Sequence, residues 1–209
     1  LALFQTGKFA ESSEQLTVVL QSDPTLREAH LFRIRDRLAT DTFQEAELQS
    51  AIQAEPNDPE LNYVAGQACL QQVRAIAREA NAGGKQSAAF LWLHLRQSEQ
   101  RGETDAAKQF REELRQNGFD SPPTLVQTYD RVAAMLARCF NTVLSVAPGS
   151  AYAHGVRGYL HESANQIEEA VSEYRAGGEH YSAGRVLAQN GRTDEAIREF
   201  EQELAINAG

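Results

Sequence analysis

The chain has 209 residues, of which 42% are hydrophobic and 23% charged, with a net charge of −9 and a mean hydropathy of −0.48. This composition is that of an ordinary globular chain and argues against the disordered, collagen-like and disulfide-rich classes. The negative charge repels phosphate backbones and anionic headgroups, so nucleic acid and membrane surfaces are poor partner candidates.

Helix start signals organise the first part of the chain. The Asp-Pro pair at 23–24 precedes Thr25-Leu-Arg-Glu28, which matches a capping box and predicts that the next helix begins there. Farther on, Asp58 followed by Pro59 predicts a second start, with the aspartate as N-cap and the proline in the first turn.

Glycine- and proline-rich breakers mark the helix ends in the rest of the chain. The segment 81–86 joins a long predicted helix to another over 87–101, and 117–123 is the longest breaker. Residues 147–150 form a third breaker, Ala-Pro-Gly-Ser. Small residues within helices let two helices approach closely. Such close packing is predicted at three glycines: Gly66, Gly158 and Gly184.

A repeated pattern runs through these segments. The N-terminal copy, Gly7-Lys-Phe9-Ala-Glu11, recurs 34 residues later as Asp41-Thr-Phe43-Gln-Glu45-Ala46. The clearest copy lies at 191–207, where Ala196, Phe200 and Leu204 follow one another at helical spacing. A related copy lies at 165–174 and a weaker one at 102–114. This spacing places the apolar side chains on one helical face.

These residues resemble the tetratricopeptide repeat family, in which two-helix units of about 34 residues stack into a right-handed superhelix. The resemblance implies an all-α fold, an α-solenoid of about five to six irregular repeats. It is strongest over 1–24, 151–176 and 179–209. The predicted single domain, 1–209, contains these repeats: 1–24 (partial), 27–56, 59–82 with 87–117, 124–148, 151–176 and 179–209.

The spacing departs from the family period at two places. Ala170 and Ala196 lie 26 residues apart, eight fewer than the period, and the Gly177-Gly178 pair stands where a second helix would continue. Either this hairpin is truncated or the chain differs from the family here. The second repeat is two residues short.

No catalytic or metal-binding pattern is found. Cys69 and Cys139 have no cysteine or suitably spaced histidine beside them, so neither a disulfide framework nor a zinc site is predicted. His154 and His161 could share a helix face, but no carboxylate completes a cluster at ligand spacing. The Ala-Gly-Gly-Lys sequence at 82–85 lacks the elements of a phosphate-binding loop. The chain is therefore predicted not to be an enzyme and to need no cofactor.

The resemblance assigns a partner-binding groove instead. In the family, the first helix of each repeat lines the concave wall, and matched positions give these groove candidates: Leu31, Arg35, Tyr63, Gln67, Tyr152, Tyr159, Tyr181 and Arg185. Tyrosine and arginine are common interface anchors. The alternative interpretation makes the tyrosines half-buried spacers between helices.

A protein-interaction scaffold or adaptor is the function that follows from the resemblance. The Lys and Asn pair with which some members hold a C-terminal carboxylate is absent here, which favours an internal segment or a folded surface. The net charge favours a basic partner. One alternative is a regulatory or substrate-recruiting arm of a larger enzyme or transcription regulator. The other is an enzyme in its own right, whose titratable site the sequence does not display.

Three further expectations concern the context of the chain. Leu1–Phe4 aligns with the middle of a helix, which predicts a piece of a longer array. An uncovered final helix predicts fraying or self-association through the C-terminal repeat. No basic and apolar leader is seen, which favours a soluble, cytoplasmic protein, while an export signal ahead of Leu1 stays an alternative.

Overall fold

The structure is a computed structural model that describes residues 6–207, and these residues form eleven α-helices and no strand. The predicted all-α class is confirmed. The expectations about Leu1–Phe4 and about Ala208 and Gly209 lie outside the described residues. The helices are α1 (Phe9–Ser22), α2 (Arg27–Ala39), α3 (Glu45–Ala54), α4 (Pro59–Ala82), α5 (Ala88–Gln100), α6 (Thr104–Gln116), α7 (Thr124–Val146), α8 (Ala151–Ser163), α9 (Ile167–Ala176), α10 (His180–Gln189) and α11 (Thr193–Asn207).

The predicted start signals have different outcomes. Asp58 accepts a hydrogen bond from the Leu61 N–H at 2.6 Å, so the predicted cap of α4 is confirmed. The predicted capping box at 25–28 is wrong, because α2 begins at Arg27 without a side-chain cap. Instead, the Asp23 carboxylate accepts both the Thr25 N–H at 3.0 Å and the Thr25 hydroxyl at 2.8 Å. Thr25 therefore forms its hydrogen bonds within the turn before α2 and does not cap the helix.

The helices group into two compact units. The first takes the residues up to Ala54 together with Val64–Arg138, and the second takes Glu55–Tyr63 together with Cys139–Gly209. In the first unit, α1 packs on α2, α2 on α3 and α5 on α6. Its core contains one cluster formed by α4, α5 and α7 and another formed by α5 and α6. Three pairs of successive helices are therefore packing neighbours here: α1–α2, α2–α3 and α5–α6.

The second unit contains two hairpins that repeat the same contacts. Helix α8 packs on α9, α9 on α10, and α10 on α11. A Cβ on Gly158 would lie 2.6 Å from the Tyr174 ring, and a Cβ on Gly184 would lie 2.6 Å from the Phe200 ring. The predicted close approach at both glycines is confirmed. The two glycines are 26 residues apart and so are the two aromatic residues, which is the spacing found in the sequence.

The short repeat has a local cause. Helix α9 has only 10 residues, and the chain turns through Gly177-Gly178 directly into α10. Gly178 has a φ of +75°, a left-handed conformation that glycine adopts without strain. The turn closes with a hydrogen bond from the Glu179 N–H to the Tyr174 carbonyl at 2.8 Å. The 26-residue spacing therefore comes with a ten-residue helix and a tight glycine turn.

Across the part of the chain that the structure describes, no helix combines the length and apolar character needed to cross a bilayer.

Candidate functional site

Four aromatic side chains meet in the second unit, and we call them the aromatic cluster: Tyr63, Phe140, Tyr152 and Tyr159. The Tyr63 ring centroid lies 5.5 Å from that of Tyr152 and 6.3 Å from that of Phe140. The Phe140 ring meets Tyr159 edge-on at 5.6 Å. Phe140 is buried, and the three tyrosines are half-buried.

The local sequence places these rings on three different helices. Tyr63 lies near the start of α4, which Asp58 caps, and Phe140 lies on α7. Tyr152 and Tyr159 lie on α8, whose first turn is capped by Ser150: its hydroxyl accepts the Ala153 N–H at 3.2 Å. Three of the predicted groove residues are thus brought together around one buried phenylalanine.

A single carboxylate, Glu179, joins the cluster. The Tyr63 hydroxyl donates to its Oε1, and the Ser182 hydroxyl donates to its Oε2 at 2.9 Å. Burial raises the pKa of Glu179, and the nearby charge of Glu203 adds to the rise. The two hydroxyl donors and Arg185 act in the opposite direction. The carboxylate is thus held in a partly desolvated place beside aromatic rings.

Gly155 makes room for this contact. A Cβ at that position would lie 2.5 Å from the Tyr63 hydroxyl oxygen and 2.9 Å from its Cζ, and it would also collide with Glu179 Oε1. No side chain fits there without displacing the tyrosine. A glycine on α8 therefore lets Tyr63 and Glu179 meet.

Arg185 is held by a second carboxylate. Its Nη2 and Nη1 donate to the two oxygens of Glu162 at 2.6 Å and 2.8 Å. The same glutamate accepts the Tyr174 hydroxyl at 2.9 Å. Burial, followed by the Glu162 charge, raises the pKa of Tyr174, so its phenol stays protonated. The guanidinium predicted to face a partner is therefore engaged within the unit.

Tyr181 is the most accessible of the predicted tyrosines. It is 61% exposed, and its ring centroid lies 5.9 Å from that of Phe200. Three large apolar side chains of α11 are also exposed: Ile197 at 49%, Leu204 at 69% and Ile206 at 62%.

The remaining predicted groove residues belong to the first unit. Leu31 is only 4% exposed, so it offers a partner almost no surface. The Arg35 guanidinium carbon lies 5.9 Å from the Phe32 ring centroid, a cation–π contact, and Gln67 is half-buried.

Phe140, Glu162 and Glu179 lie in the candidate site, and the sequence did not reveal their place there. Glu179 contacts a tyrosine 116 residues away along the chain, so no local pattern could indicate it. Phe140 lies within an apolar stripe like any core residue. The one usable signal is Gly155, which the repeat alignment places at the position that Tyr63 and Tyr181 occupy in their own repeats.

Two histidines of the second unit each pair with a glutamate. The His154 Nδ1 lies 2.8 Å from Glu173 Oε2, and the His180 Nδ1 lies 2.8 Å from Glu199 Oε2. In the part of the chain that the structure describes, no three His, Cys, Asp or Glu side chains are placed to hold a metal ion.

A scan of the sequence against models of known protein families and a search of curated proteins both return no match. The assignment of function therefore depends on the geometry of the chain itself.

Proposed function

We propose that the chain is a protein-interaction scaffold or adaptor that binds a segment or surface of another protein. The aromatic cluster of the second unit carries this proposal. Its three half-buried tyrosines come from two helices and keep part of their surface in solvent. Tyrosines of this kind supply large contact area at a low entropy cost, and they dominate the energetics of many interfaces.

The proposal includes the tetratricopeptide-like arrangement, in which helix pairs stack as a right-handed solenoid and expose a concave groove. Two observations support it. Six pairs of successive helices, three in each unit, pack as neighbours, as helices of a repeat array do. The two hairpins of the second unit repeat their glycine–aromatic contacts at the same spacing.

Charge favours a basic partner. The chain carries a net charge of −9, which attracts cationic proteins at long range and raises their association rate. Glu179 adds a carboxylate at the aromatic cluster itself.

A peptide selection tests the proposal. A phage library of random 12-residue peptides is selected on the full chain, and the affinities of the enriched peptides are measured by fluorescence anisotropy. Truncating Tyr152 to alanine is expected to weaken binding at least about fivefold, since central tyrosines contribute more than ~1 kcal/mol. The matched control is Val18→Ala, which removes an exposed apolar side chain of the first unit. It is expected to leave the affinity unchanged.

Two results would refute this proposal. One is the absence of any peptide that binds the folded chain specifically. The other is equal affinity of the selected peptides for the wild type and for a Tyr152→Ala variant with an unchanged far-UV spectrum.

A further inference from the structure

Glu179 has acceptor capacity that the chain does not use. An ionised carboxylate has about four acceptor positions on its two oxygens. Here Oε1 accepts one hydroxyl, from Tyr63, and Oε2 accepts one, from Ser182. Each oxygen therefore keeps one acceptor position that no donor among the described residues occupies.

Cationic side chains do not neutralise this carboxylate. Among the described residues, no lysine, arginine or histidine lies within ion-pair distance of Glu179. Arg185 lowers the pKa of Glu179 through space, but its guanidinium is bound to Glu162 at 2.6 Å and 2.8 Å. A half-buried carboxylate without a cation is stabilised by any cation that reaches it.

Aromatic rings belong to the same local cluster as this carboxylate. Tyr63 donates to Glu179, and its ring centroid lies 5.5 Å from that of Tyr152, with the two ring planes tilted by 37°. A cation above an aromatic face is attracted by the ring quadrupole. A guanidinium satisfies both requirements at once, because it is planar, stacks on rings and donates two parallel hydrogen bonds to a carboxylate.

We propose that Glu179, Tyr63 and Tyr152 form a binding site for the guanidinium of an arginine side chain carried by the partner protein. This inference rests on the proposed interaction function and specifies which partner residue anchors it. A lysine binds the same site more weakly, because its ammonium is a point charge that cannot donate as a parallel pair.

A titration with a minimal ligand tests the site directly. The isotope-labelled full chain is titrated with N-acetyl-arginine amide and followed by amide chemical shifts. N-acetyl-citrulline amide, which is neutral and nearly isosteric, is the ligand control. We expect the arginine derivative to shift amides in 150–156 and 179–183 with a Kd of about 5 mM, an affinity suited to a single side chain. The citrulline derivative is expected to produce no saturable shift there.

Three variants complete the test. Glu179→Gln is expected to weaken arginine binding at least about tenfold by removing the charge. Tyr152→Ala, which leaves the carboxylate in place, is expected to weaken it about threefold, the value of one cation–π contact. The matched control Glu203→Gln removes a neighbouring carboxylate and is expected to leave the Kd within about twofold.

The site is refuted if both ligands shift the same amides with equal Kd, if no amide shifts, or if folded Glu179→Gln binds as tightly as wild type. The peptide selection separates this result from the broader function. Selected peptides that require Tyr152 but neither contain arginine nor respond to Glu179→Gln would leave the interaction function standing. Arginine binding without any selected peptide would leave the site standing and contradict the interaction function.

Discussion

Replacing Gly158 by alanine tests how the hairpins of the second unit pack. The added Cβ would lie 2.6, 2.7 and 2.9 Å from three ring atoms of Tyr174, whereas ordinary contacts begin near 3.4 Å. The ring cannot move aside freely. It is 3% exposed, and its hydroxyl donates to Glu162 at 2.9 Å.

The expected cost follows from three contributions. Overpacking costs about 1–3 kcal/mol, and weakening a hydrogen bond to a charged group costs about 1.5 kcal/mol. Alanine regains about 1 kcal/mol of helix propensity over glycine. The net loss in the free energy of unfolding is therefore about 2.5 kcal/mol, which lowers Tm by about 5–10 °C for a chain of this size.

Thermal unfolding followed by far-UV circular dichroism measures this loss. The matched control is Gly149→Ala, whose new Cβ meets no heavy atom within 4 Å. It is expected to change the stability by less than about 0.5 kcal/mol. Combining Gly158→Ala with Tyr174→Leu should cost less than the sum of the two single changes. A Gly158→Ala variant as stable as the wild type would refute the packing described for this hairpin.

Three other changes have expected outcomes. Ala196 is 2% exposed, so Ala196→Glu buries a charge and is expected to cost more than about 4 kcal/mol in urea unfolding, while Ala205→Glu on the exposed face of the same helix costs under about 0.5 kcal/mol. Ser150→Ala removes the α8 cap and is expected to cost about 1 kcal/mol, which Ser150→Asp restores. Burial raises the pKa of Glu199, but hydrogen bonds from His180 and an arginine outweigh it and leave the pKa below the ordinary 4.5. As the pH falls, Glu199 is therefore protonated in the unfolded chain before it is protonated in the folded chain, and stability decreases below about pH 4.5. Glu199→Gln is expected to reduce this dependence of stability on pH.

Each of these expectations can fail in a specific way. Equal costs for the two glutamate substitutions would mean that Ala196 is not packed. A Ser150→Asp variant no more stable than Ser150→Ala would contradict the cap. If stability falls as steeply with decreasing pH in Glu199→Gln as in the wild type, this carboxylate does not contribute to the loss of stability in acid.

The helix ends could be predicted where they depend on interactions between residues that are close in sequence. The Asp58 cap and the turn at Gly177-Gly178 depend on residues within a few positions of one another. The capping box expected at Thr25 failed for an equally local reason. Asp23 binds the same threonine, and the capping-box motif does not include this residue because it lies two positions before the motif begins.

The candidate site could be predicted only in part. Aligning the repeats identified the three tyrosines, because repeat positions recur at regular spacing. It could not identify Glu179 or Phe140, since their partners come from distant parts of the chain and only tertiary packing brings them together. It also could not show that Arg185 would be held by Glu162, 23 residues earlier.

Mapping where a selected peptide binds tests most directly whether the aromatic cluster is the partner-binding site. The isotope-labelled full chain is titrated with the tightest peptide, and the amide shift changes are mapped along the sequence. We expect the largest changes to cluster in 59–63, 150–160 and 179–185, around the aromatic cluster. Changes confined to 88–116, with the aromatic cluster unaffected, would contradict it.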